Sequence, residues 1–97
     1  MPTQLRIYTI KQNRLRDFVK EWKETVLPLR REHGFEITQA WVVEPSNQFI
    51  WVINYDGSES WKSKEEQYYA SSERKKIQPN PARLIAKSEQ YFIEGVL

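Results

Sequence analysis

No cysteine occurs in the 97 residues, which excludes disulfides, thiolate metal sites and cysteine nucleophiles together. Histidine occurs once, at His33. That is too few for a multi-histidine centre, so any metal would have to rest on carboxylates, and none is expected. The three glycines are scattered and build no Gly-rich phosphate loop. No serine stands in a Gly-x-Ser-x-Gly elbow, which leaves serine-hydrolase chemistry without support. No motif calls for a cofactor. No apolar run approaches the roughly 18 residues of a membrane span, and Met1-Pro2-Thr3-Gln4 does not open a basic and then apolar leader. The expectation is a cytoplasmic protein with no membrane partner.

Apolar residues make up only 39% of the chain and charged ones 29%. With so little apolar material, its location decides the fold. Much of it is aromatic: four Trp, five Tyr and four Phe. The length suits one domain spanning residues 1–97. Net charge is +2, with both signs interleaved. The densest basic cluster, Arg74-Lys75-Lys76, has Glu73 beside it and reads as a solvated helix face. Nucleic-acid binding needs a clustered stripe, so no nucleic-acid partner is expected.

Residues 4–10 alternate as a strand, with Leu5, Ile7 and Thr9 on one face and Gln4, Arg6, Tyr8 and Ile10 on the other. Asn13 is placed to cap a helix, and Leu15, Phe18, Val19, Trp22, Val26 and Leu29 mark its apolar stripe. Pro28 interrupts that pattern and should kink the last turns or start a new short helix. Gly34 is positioned as a left-handed terminator after Arg30-Arg31. Residues 35–44 and 49–55 read as strands joined by Pro45-Ser46-Asn47-Gln48, which makes an antiparallel hairpin. Asp56 and Glu59 have capping-box spacing ahead of a second helix that carries Trp61, Tyr68 and Tyr69. A short segment restarts at Ser71-Ser72, Pro79-Asn80-Pro81 stops it, and residues 85–93 form a fourth strand. Strand, helix, hairpin, helix and strand make the ferredoxin-like βαββαβ plan of the α+β class: a four-stranded antiparallel sheet with two helices on one face.

A sheet with helices on one side and water on the other should alternate, apolar inward and polar outward. Here it does not. Phe49-Ile50-Trp51-Val52-Ile53 and Ala40-Trp41-Val42-Val43 are apolar on both faces. Two helices cover one side, and soluble monomers seldom expose a contiguous apolar patch beyond a few hundred Å². The simplest cover is a second copy of the chain, sheet facing sheet, so a homodimer is expected. The alternative is the C-terminal segment folding over the open face.

The stretch Gln4-Leu5-Arg6-Ile7-Tyr8-Thr9, then Pro28-Leu29-Arg30 leading to His33-Gly34-Phe35, the hairpin ending Tyr55-Asp56, and Tyr68-Tyr69-Ala70-Ser71 occur in this order at compatible spacings. Together they resemble the NIPSNAP branch of the dimeric α/β-barrel proteins. The resemblance implies a dimeric α/β barrel with a cavity between sheet and helices in each subunit, and it leaves biochemical role undefined. Members often begin the first motif with Glu; Gln4 here removes any role that needs a carboxylate there.

Arg6 and Tyr8 share a strand face, where Arg6 suits a carboxylate or enol oxygen and Tyr8 a hydrogen bond. The competing reading is an ion pair at the sheet margin. His33 suits acid–base work or, by the resemblance, haem ligation, but its place in the last helical turn equally makes it a structural cap. Trp41, Trp51, Tyr55, Trp61 and Tyr68 suit an aromatic-lined pocket for a flat ligand, against ordinary core packing. Asn54, a lone amide on an apolar strand, needs a partner. Three functions follow: a homodimer binding a small hydrophobic or aromatic molecule, a cofactor-independent monooxygenase or isomerase acting on aromatic or polyketide-like substrates, or a structural dimer with a filled interior.

Overall fold

The structure, a computed structural model, describes residues 2–97. β1 (Thr3–Ile10) leads into a helical rod of three pieces: α1 (Leu15–Glu21), a π-helical turn (Trp22–Val26) and α2 (Leu27–Glu32). β2 (Phe35–Val43) and β3 (Gln48–Tyr55) form the hairpin. Then come α3 (Trp61–Ala70), the single turn α4 (Ser72–Lys75) and finally β4 (Ile85–Phe92). The strands pair antiparallel throughout in the order β2-β3-β1-β4. This is the ferredoxin-like plan read from the sequence.

The caps differ from expectation. Asn13 does not cap α1; it takes a left-handed backbone, φ 63°, inside a turn closed by the Arg14 N–H on the Lys11 carbonyl at 3.1 Å. Asn tolerates that conformation because its short polar side chain does not clash there. Asp56 does not cap α3 either. Ser60 does, its Oγ accepting the Ser63 N–H at 3.1 Å. The loop needs those extra residues to pass Tyr55: a Cβ at Gly57 would fall on the Tyr55 ring, so only glycine fits.

Pro28 starts a new helix rather than kinking an old one. The Leu27 N–H donates to the Trp22 carbonyl, five residues back, and Pro28 follows within the first turn of α2. The proline lacks the N–H an ordinary ladder would need at that point, and the wider π turn spans the gap. Gly34 takes φ 90° after His33, as its position implied.

The two sheet faces carry different chemistry. Gln4, Arg6, Tyr8 and Ile10 of β1 are buried beneath the helices, with Phe49, Trp51, Ile53 and Tyr55 of β3 beside them. Phe18, Trp22, Leu29 and Tyr68 pack onto them from above. Leu5 and Ile7 lie on the opposite face, paired with Val52 and Ile50. No helix covers that face, and residues 94–97 beyond β4 are exposed rather than folded across it.

A bulge in β2 settles where Trp41 points. Strict alternation from Phe35 and Ile37 would put Trp41 under the helices. The register shifts between Glu36 and Gln39, after which Ala40 stands opposite Trp51 and Trp41 opposite Ile50. One extra residue exchanges the faces of everything after it. Trp41 therefore joins the open face, 48% exposed.

Candidate functional site

The site is built where β1, β3, the helical rod and α3 meet. Arg6 and Trp51 are direct neighbours across β1 and β3. Trp22, Val26 and Arg30 recur every four residues and descend from the rod as one stripe. Glu65 and Tyr69, four residues apart on α3, reach the same point from above.

Arg6 and Arg30 are both only 1% exposed, and a charge that deeply buried must be paired. They share one carboxylate. Arg6 donates to Glu65 Oε2 at 2.8 Å, and Arg30 donates to Glu65 Oε1. Both guanidiniums also donate to the Tyr69 hydroxyl, at 3.4 and 3.2 Å. Gln4 accepts from Arg6 Nε at 2.7 Å; being an amide, it orients Arg6 without neutralising it. Two positive charges thus face one negative charge. The Arg30 guanidinium lies 3.9 Å from the centre of the Tyr68 ring, and the Arg6 guanidinium 5.4 Å from that of Trp51, so aromatic faces take up part of the surplus.

Titration follows from this geometry. Burial alone would push the Arg6 guanidinium down, but neighbouring Tyr8, Glu65 and Tyr69 outweigh it and hold Arg6 above its ordinary value. Burial alone would raise Glu65; the hydrogen bond and charge of Arg30, then those of Arg6, overcome that and hold the carboxyl below its usual range. Tyr68 is raised by burial, only partly offset by Arg30 and Arg74.

Beside the cluster lies a cavity of about 100 Å³. Its apolar wall is Tyr8, Phe18, Trp22, Trp51 and Tyr68, and Arg6 and Arg30 form its polar side. Tyr69, Arg74 and Ala82 line it too, and all three also line a wider, shallower depression of about 480 Å³ that includes Lys75. The depression therefore adjoins the cavity across these shared residues. Among the described residues, five buried side-chain atoms of cavity-lining residues have no hydrogen-bond partner: Trp22 Nε1, Arg30 Nε, Trp51 Nε1, Tyr68 Oη and Arg74 Nε.

Of the residues singled out from sequence, Arg6, Tyr8, Trp51 and Tyr68 come together here. Trp41 and Asn54 lie on the open face. Asn54 pairs with Thr3 and Glu36 there, its Oδ1 buried without a partner. Tyr55 beneath the helices and Trp61 at the start of α3 pack instead on Phe35, away from the cavity. His33 ends α2, half-buried and edge-on to the Tyr68 ring at 5.5 Å. Sequence reading passed over Arg30 and Glu65. The spacing of Arg30 from Trp22 and Val26 places it on the apolar stripe. The spacing of Trp61, Glu65, Tyr68 and Tyr69 puts Glu65 on the aromatic side of α3, but nothing local names its partners. Among the described residues, no group of three or more His, Asp or Glu side chains is arranged to hold a metal ion, and no helix is long and apolar enough to cross a membrane.

Comparison with known proteins gives a consistent result. The NIPSNAP family model matches residues 3–95. No curated protein matches the sequence. Among solved structures, the chain is similar to an uncharacterised NIPSNAP domain protein from Burkholderia xenovorans, at 16% identity and TM-score 0.84, covering 99% of this chain and 95% of that one. It is similar to a NIPSNAP family protein from Agrobacterium tumefaciens strain C58, at 16% identity and TM-score 0.85, covering 98% and 92%. It is more distantly similar to an antibiotic biosynthesis monooxygenase, at 12% identity and TM-score 0.70, covering both chains completely. At these identities the likeness establishes the fold alone.

Proposed function

The chain belongs to the NIPSNAP family, and from that premise we propose that it is a cytoplasmic homodimer binding one small, flat organic molecule in the cavity of each subunit. The observation that carries this reading is the cavity itself: an aromatic enclosure of about 100 Å³ with two buried arginines on one side. Ligand sites combine an apolar wall with a few fixed polar groups in this way. A side-chain-filled interior would be expected of a purely structural dimer. The partner surface is the open sheet face, where Trp41 is exposed and Leu5, Ile7, Ile50 and Val52 are half-buried. Covering each large side chain is worth about 1.5–3 kcal/mol.

The test is a thermal-shift and tryptophan-fluorescence screen of small aromatic and unsaturated compounds. Trp22 and Trp51 line the cavity, so an occupant should change their emission as it raises Tm. A screen in which no compound does both would defeat the reading. Sedimentation at micromolar concentration tests the dimer.

A second reading, a cofactor-independent monooxygenase or isomerase, rests on the Arg6–Glu65–Arg30 cluster. Its fixed positive charge would stabilise an enolate oxygen developing on a bound substrate. Oxygen uptake with quinol-type substrates, compared between wild type and Arg6→Ala, tests it. Equal rates at background would exclude catalysis of this kind.

A further inference from the structure

We infer that the occupant of the cavity is a small organic acid, bound as its carboxylate with a flat unsaturated body, which enters past Arg74 and Lys75. This rests on the small-molecule reading above and narrows it from apolar or aromatic compounds to anionic ones.

Three independent features of the site point to an anion. The first is charge. Arg6 and Arg30 are both 1% exposed and share the single carboxylate of Glu65, while Gln4 supplies an acceptor without charge. The protein alone therefore leaves one buried positive charge uncompensated, an arrangement that is unfavourable without a counter-charge.

The second is the direction of the unmet hydrogen bonds. Of the five buried unpartnered atoms on cavity-lining side chains, Trp22 Nε1, Trp51 Nε1, Arg30 Nε and Arg74 Nε can only donate, and Tyr68 Oη donates or accepts. Native structures satisfy most such groups. What this cavity lacks is acceptors. A hydrocarbon would leave every one of these groups unpaired, and a neutral amide would bring donors of its own. A carboxylate brings two oxygens with about four acceptor positions and no donor, and its hydrogen bonds to these groups are charge-assisted.

The third is the route. The outer depression shares Tyr69, Arg74 and Ala82 with the cavity and adds Lys75 and Asn80. Two cations at the mouth raise the local concentration of anions and their rate of arrival. The aromatic wall of Tyr8, Phe18, Trp22 and Trp51 then selects a flat body. A cavity of about 100 Å³ admits a short acid entirely, and an aromatic one with its far end in the depression; for scale, an engineered apolar cavity of about 150 Å³ takes up benzene.

The experiment titrates the protein with crotonate and benzoate and with their shape-matched amides, crotonamide and benzamide, following tryptophan emission and heat. At least one acid should bind about tenfold or more tightly than its amide, and its affinity should fall as salt rises. Tyr68→Phe keeps the shape of the wall and removes one donor; Trp22→Phe removes another together with part of the ring. Either should narrow the acid-to-amide ratio several-fold, with circular dichroism reporting that the fold is retained. If an amide binds as tightly as its acid, the anion inference fails and the small-molecule reading stands. If none of the four binds, the anion inference fails, and the wider screen above decides the small-molecule reading.

Discussion

Each face of the sheet departs from the usual assignment, the covered one by holding charge within its aromatic core and the open one by carrying apolar residues. The side hidden under helices carries Gln4, Arg6 and, from above, Arg30 and Glu65. The side turned to solvent carries Leu5, Ile7, Ile50 and Val52, with Trp41 from β2. For a monomer selected only for stability, neither departure would be favourable: buried charge is desolvated at a cost, and exposed apolar surface gains nothing. Under the function proposed above, the covered face would hold a guest and the open face a partner.

The covered face gives the largest expected effect. Removing one member of a buried ion cluster leaves uncompensated charge, which costs about 3–5 kcal/mol. Glu65→Ala would strand both guanidiniums, and urea unfolding should show a loss at the lower end of that range, because the Glu65 side chain is 19% exposed. A loss below about 1 kcal/mol would show that water reaches the arginines, and the contrast between the faces would weaken. The same pair shapes the acid limb of the stability curve. Glu65 is held below its ordinary value of 4.5 in the folded chain, so its contribution is complete above that pH and fades as pH falls through the lower, folded value. Tm should therefore drop on acidification below about 4.5, and Glu65→Gln should flatten that drop.

The open face comes next. Ile50→Asp places a charge in the centre of the apolar patch, twice per assembly if the dimer is two-fold. Losing about 1.5–3 kcal/mol per large side chain, twice per dimer, corresponds to roughly 150- to 20,000-fold weaker association. Sedimentation equilibrium should show monomers at micromolar concentration, with the circular dichroism spectrum unchanged. A wild-type chain that already sediments as a monomer would remove the explanation offered for this face.

The fold was legible because it is written in spacing. The alternation of β1, the stripe from Leu15 to Leu29 and the turn at Pro45-Ser46-Asn47-Gln48 each allow one local structure, and their order allows one familiar topology. The site was half legible. Arg6 and Tyr8 share a face by strand geometry alone, but which face the helices would cover was open, since the Leu5–Ile7–Thr9 side is the more apolar of the two. Trp41 was misplaced because a bulge has no reliable signature in Thr38-Gln39. Glu65 was missed because its importance comes from two arginines 59 and 35 residues away in sequence, a relation that no local pattern encodes.

The smallest expected effects come from two adjacent tyrosines, and they sharpen the comparison within the covered face itself. Tyr69 is 46% exposed, yet its hydroxyl accepts from both arginines at 3.4 and 3.2 Å. Tyr68 is 1% exposed, and its hydroxyl has no partner. On burial alone Tyr68→Phe should be the costlier change. Hydrogen bonding reverses that order. Tyr69→Phe removes two long bonds that water can partly replace, at about 0.5–1 kcal/mol. Tyr68→Phe removes an unsatisfied buried group and should leave stability unchanged or raise it by up to about 1 kcal/mol. If the Tyr68 hydroxyl exists for a guest, its removal should weaken carboxylate binding while sparing the fold, the trade expected where a functional site is held at some expense to stability. Chemical denaturation of the two variants decides the matter. A Tyr68→Phe chain less stable than Tyr69→Phe would mean that the hydroxyl already has a partner in the folded protein, and the donor surplus of the cavity would shrink accordingly.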